Sequence, residues 1–141
     1  MTPKEIQECL TALENLQNAY EKYRAIQEQE HTHLSRRGSI DGWNIFVRQK
    51  HLALQEAQAL EESFAVWRQR WQNLGDKRQR AEFAMIREKL SKLQTLLTRI
   101  LTCDRMNETL LYSAGYLQSV IAHRSANVVE NGPKTPVKPR L

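Results

Sequence analysis

At 141 residues the chain is long enough for one domain with a modest core. Its 5 Gly and 4 Pro are too few for the hairpins of a sheet protein, and a supply of Glu, Gln, Lys, Arg, Leu and Ala suits long helices. The net charge of +5 suggests nucleic acid only until it is mapped. Residues 1–30 carry six Glu against Lys4, Lys22 and Arg24, whereas Arg68 to Arg80 holds five cations against Asp76. The tail from Arg124 holds four against Glu130. Opposite signs on separate segments favour packing of helix on helix over one cationic face for nucleic acid.

The opening Met1-Thr2-Pro3-Lys4-Glu5 has no apolar leader, and no run approaches the ~18 apolar residues that span a bilayer. Cys9 and Cys103 fall on apolar helical faces, as buried small hydrophobes rather than a bridge. The expectation is a cytoplasmic protein with no membrane insertion.

In chain order, the first predicted helix covers about 3–36. Thr2 caps it, Pro3 suits its first turn and Glu5 completes a capping box. Its stripe is Ile6, Cys9, Leu13, Leu16, Tyr20 and Tyr23, turning polar at Gln27 and Glu30 before Leu34, and Gly38 supplies the break. A second helix over 40–74, capped by Ser39 or Asp41, carries Trp43, Phe46, Val47, Ala53, Leu54, Ala57, Leu60, Phe64, Trp67, Trp71 and Leu74. Lys50 interrupts this stripe, its stem packed and its charge reaching solvent. After the turn at Asn73-Leu74-Gly75, Asp76 and Gln79 mark the start of a third helix over 77–124. Its stripe is Phe83, Ile86, Leu90, Leu93, Leu97 and Ile100, then the polar Asp104 and Asn107, then Leu111, Ala114, Leu117 and Ile121.

Short connections impose an up-down-up order, so the chain reads as an all-α, coiled-coil-like bundle of three long antiparallel helices. The first two helices come to about 50 Å and the third to about 70 Å at the helical rise. The third must therefore overhang, bend, or break near Gly115. An overhang leaves Leu110, Leu111, Tyr116, Leu117, Val120 and Ile121 without intramolecular cover, the mark of an interaction site. Asp104 and Asn107 sit where Leu or Ile belongs. Either they are buried and fix register, or the helix leaves its partners there and they face water; the second reading is favoured. Residues 125–141, with Pro133, Pro136 and Pro139, read as a disordered tail.

Catalytic and metal chemistry has little to stand on. His31 and His33 point to different sides of a helix, and His51 and His123 stand alone as surface histidines. No metal site, cofactor or enzymatic activity is expected. Trp43, Trp67 and Trp71 fall at core spacing rather than forming a platform for bases.

The second helix has Phe46, Val47 and Lys50. The last reads Leu93-x-x-Leu96-Leu97-x-x-Ile100-Leu101, then Asn107-Glu108-Thr109-Leu110-Leu111. Over roughly Leu10 to Ile121 this pattern resembles the FlgN family of flagellar type III export chaperones. That family often repeats the Asn and follows it with a small residue, whereas this chain has Glu108 and Thr109. The resemblance implies a cytoplasmic chaperone that binds the C-terminal helical segment of hook-associated (hook–filament junction) proteins and takes them to the export gate. Asn107, Leu110, Leu111, Ala114, Leu117, Val120 and Ile121 are then the client-binding strip. Tyr112 or Tyr116 would meet the cytoplasmic domain of the gate's membrane protein. The alternative is a structural coiled-coil adapter or self-associating bundle, with the strip paired against its copy in a homodimer.

Overall fold

The computed structural model of the chain describes residues 1–113. Helix α1 spans Pro3–Ser35, α2 spans Ile40–Asn73 and α3 spans Ala84–Leu111, with short 3-10 turns at Gly75–Gln79 and Ala81–Phe83 between α2 and α3. Among the described residues there is no strand, and no helix is long and apolar enough to cross a membrane. The all-α, up-down-up architecture is as the periodicity predicts.

The start of α1 follows the sequence closely. Thr2 Oγ1 accepts from the Glu5 amide at 3.2 Å, and the Glu5 carboxylate accepts from the Thr2 amide at 3.1 Å. Those bonds hold the Glu5 carboxyl below its usual range.

The turn into α2 works differently from expectation. Arg37, not Gly38, adopts the left-handed conformation, with φ of 52°. Gly38 is there for space: a Cβ on it would lie 2.2 Å from the His33 ring, and one on Gly42 would lie 2.5 Å from it. That ring fills the turn, donates from Nε2 to the Ser39 carbonyl at 2.8 Å and stacks obliquely on Phe46. His33 is thus a lock on the hairpin rather than a surface residue. Ser39 caps α2 through the Gly42 amide at 3.1 Å.

The second connection is also a correction. Asp76 makes no cap, and α3 begins at Ala84 instead of 77. Phe83 is the reason. It is 2% exposed, with its ring edge-to-face against Trp71 at 5.8 Å, so the chain must fold inward before α3 starts. Arginines tie down the turn: Arg78 Nε donates to the Gly75 carbonyl, and Arg87 Nη1 to the carbonyls of Arg78 and Arg80. Arg70 pairs with Glu5 and Arg68 with Glu61. Most of the basic run is spent on its own fold.

Helix α1 is the central element. Residues of α1 pair with α2 in opposite directions (Glu5 with Arg70, Lys22 with Glu56, Glu30 with Lys50). Partners on α3 run parallel to α1, Gln27 meeting Asp104 and Glu30 meeting Asn107. Both α2 and α3 pack along α1, while their backbones approach each other at few places. The main core gathers Cys9, Leu10, Leu13, Leu16, Phe64, Phe83, Ile86 and Leu93, with Trp67 and Trp71 against it. Tyr23, Ala53 and Ile100 form a smaller middle cluster, and Leu34 with Ile40, Trp43, Leu110 and Leu111 closes the other end. The stripe of α2 is narrower than its periodicity suggests, since Val47 and Leu54 remain 37% exposed.

Candidate functional site

Between the middle and end clusters, the polar interruptions of all three helices converge. Gln27 Nε2 donates to Asp104 Oδ1 at 2.6 Å and to the Ile100 carbonyl at 3.0 Å. Glu30, 2% exposed, accepts from Lys50 Nζ at 2.8 Å and from Asn107 Nδ2 at 2.6 Å. Asn107 Oδ1 lies 2.9 Å from His31 Nδ1, which must donate to it. Lys50 also lies 3.8 Å from Asp104 and above the Tyr23 ring. Two carboxylates and one ammonium therefore share one layer with two amides, an imidazole and a phenol. Burial, followed by the nearby Asp104 and Glu30 charges, pushes the Tyr23 phenol up to about 12.

This layer overturns the favoured reading that α3 leaves its partners here: Asp104 accepts from Gln27 while its side chain stays 41% exposed to water, and Asn107 is buried. Asn107 is 3% exposed and faces α1, so it is not on a client surface. Lys50 keeps only 18% of its side chain exposed, and its charge turns to Glu30 rather than chiefly to water. The reason is complementarity: a buried carboxylate is costly unless paired, and each helix supplies one part of the pairing. The layer fixes register, because a slip of α3 would leave Glu30 charged, buried and without its amide partner.

The remaining site residues fall in three groups. Leu110 and Leu111, expected without cover, are half-buried against Leu34. Tyr112 is 47% exposed in the turn that follows α3. Ala114, Tyr116, Leu117, Val120 and Ile121 lie outside the described residues, as do the expected tail and the stretch of helix beyond residue 113.

Two of the clefts beside α3 are lined by the cysteines. One, of about 580 Å³, separates it from α1 between Arg24, His31, Arg99, Cys103 and Met106. Cys103 is a poor nucleophile there: burial raises its thiol despite the neighbouring Arg24 guanidinium. The other, of about 200 Å³, lies between α2 and α3 over Cys9, walled by Phe64, Trp71, Ile86, Leu90 and Leu97. Burial lifts the Cys9 thiol to about 11. Among the described residues no group of His, Cys, Asp and Glu is placed to hold a metal ion.

Searches of family models, curated proteins and solved structures match nothing to this chain.

What sequence reading missed was the joining of separate signals. Gln27, Glu30, Lys50, Asp104 and Asn107 each break an apolar stripe. Their meeting was legible only once α1 and α3 were set in parallel register.

Proposed function

We propose that the protein is a non-enzymatic helix-binding chaperone of the flagellar export type suggested by its likeness to the FlgN family. Its clients are the C-terminal helical segments of hook–filament junction proteins, which it delivers to the cytoplasmic domain of the export gate. One observation carries the reading. Leu110 and Leu111 meet Leu34, the last buried residue of α1, where α1 ends at Ser35 and α2 begins at Ile40. Among the described residues the bundle has no further length in that direction, yet the apolar series of the sequence continues through Ala114, Leu117, Val120 and Ile121. An amphipathic client helix is the natural cover for such a strip. Exposed Tyr112, next to it, is the candidate for the gate, with Tyr116. Asn107 leaves the proposed client set because the polar layer uses it.

The test is a calorimetric titration of the full chain with the C-terminal segment of a hook–filament junction protein from the same organism. Saturable binding with a negative heat-capacity change, lost in Leu117→Glu at unchanged helicity and melting temperature, supports the reading. Absence of heat at high micromolar concentration rejects it. A dilution-resistant dimer broken by Leu117→Glu would instead establish the self-associating bundle.

A further inference from the structure

The outer flank of α2 carries exposed apolar side chains that belong to none of the core clusters among the described residues. Ile45, Leu52 and Val66 are 52%, 65% and 60% exposed, and with exposed Ala59 they recur every seventh residue. That spacing sets them on one slowly drifting line. The line lies about a third of a turn from the buried Ala53, Ala57 and Phe64, at 3.6 residues per turn. Beside it stand Arg48 and Glu62. Neither has an ion pair among the described residues, whereas Glu56, Glu61, Arg68 and Arg70 of the same helix are all paired.

The pattern is its own complement when reversed. Ile45 and Val66 are equidistant from a point between Gln55 and Glu56, and so are Leu52 and Ala59. Arg48 and Glu62 are equidistant from Gln55. We propose that this face of α2 binds the same face of a second copy of the chain, antiparallel, about a two-fold axis near Gln55. The axis sets Val66 of one copy on Ile45 of the other, and large Leu52 against small Ala59. It also brings each Arg48 to a Glu62, whereas a parallel pairing would bring Arg48 to Arg48. Such a contact is isologous and closed, so it stops at two copies. With one apolar residue per heptad instead of two, the dimer is a weak one that dissociates on dilution in the micromolar range.

Sedimentation of the full chain over a concentration series tests this directly. The expected result is a monomer–dimer equilibrium weakened about tenfold by Arg48→Glu or by Glu62→Arg, since each replaces two attractive contacts with two repulsive ones. The double variant, which restores opposite charges, regains wild-type association. Gln55→Cys should form an inter-chain disulfide on mild oxidation, against a low background because Cys9 and Cys103 are 1% and 7% exposed. A monomer at every concentration overturns the proposal. So does a dimer indifferent to Arg48→Glu, or a Gln55→Cys variant that does not cross-link. Leu117→Glu leaves this dimer intact, which separates the inference from the client-binding reading.

Discussion

Near the start of α1 the helices meet through Leu13, Leu16, Phe64, Phe83, Ile86 and Leu93, side chains with nothing to hydrogen-bond. About four turns further along α1 they meet through Gln27, Glu30, Lys50, Asp104 and Asn107. The first contact is non-directional and gains in proportion to the area buried. The second tolerates one alignment, and its net contribution is small because desolvation opposes the pairing. Three buried side-chain atoms without a hydrogen-bond partner among the described residues, Arg24 Nη1, Gln27 Oε1 and Trp43 Nε1, all belong to the polar half. One end of the bundle holds the fold; the other sets the register of α3 against α1.

Substitutions in the two halves should separate these roles. Leu16→Ala, at a fully buried position, is expected to cost about 3–4 kcal/mol in urea unfolding, the range for a leucine truncated in a packed core. Lys50→Met leaves Glu30 without its cation; because Lys50 is 18% exposed and Asn107 still donates to Glu30, the cost should be roughly 2–3 kcal/mol, below the ~3–5 kcal/mol of a fully buried pair. Replacing Glu30, Lys50 and Asn107 together by Leu, Met and Leu should return most of that loss while relaxing register. If Lys50→Met equals or exceeds Leu16→Ala, the proposed division between the ends fails.

Alkaline pH sharpens the contrast further. Tyr23 titrates at about 12 in the folded chain, above the ordinary phenol value near 10, so folding favours its protonated form. Its contribution is complete below about pH 10 and is lost as pH rises toward 12. Stability should fall across that window, and Tyr23→Phe should make the fall shallower. Tyr20, pushed up to about 12 by burial and by its hydrogen bond to Glu61, adds to the same decline. The smallest effect belongs to the helix start: Thr2→Ala removes the capping box and should cost about 1 kcal/mol.

Much of this architecture was legible in the sequence because it is local. The capping box of Thr2 and Glu5, the cap at Ser39 and the 3.6-residue stripes depend on neighbours a few positions apart. What escaped reading depends on residues far apart in the chain. Phe83 delays α3 because Trp71 waits for it, and Gly38 matters because His33 needs its space. Asn107 looked like a residue on an uncovered helix because Glu30 and His31, its partners, are on α1. Of the expected client strip, the part that falls on α3 belongs to the bundle's end.

The comparison of the two ends is tested most directly by amide hydrogen exchange along α3 in the free protein. Strong protection from Ile86 to Ile100, with exchange at least tenfold faster from Arg105 to Leu111, would show an apolar anchor and a polar end that opens locally. Uniform protection through Leu111, or the reverse gradient, would contradict the account.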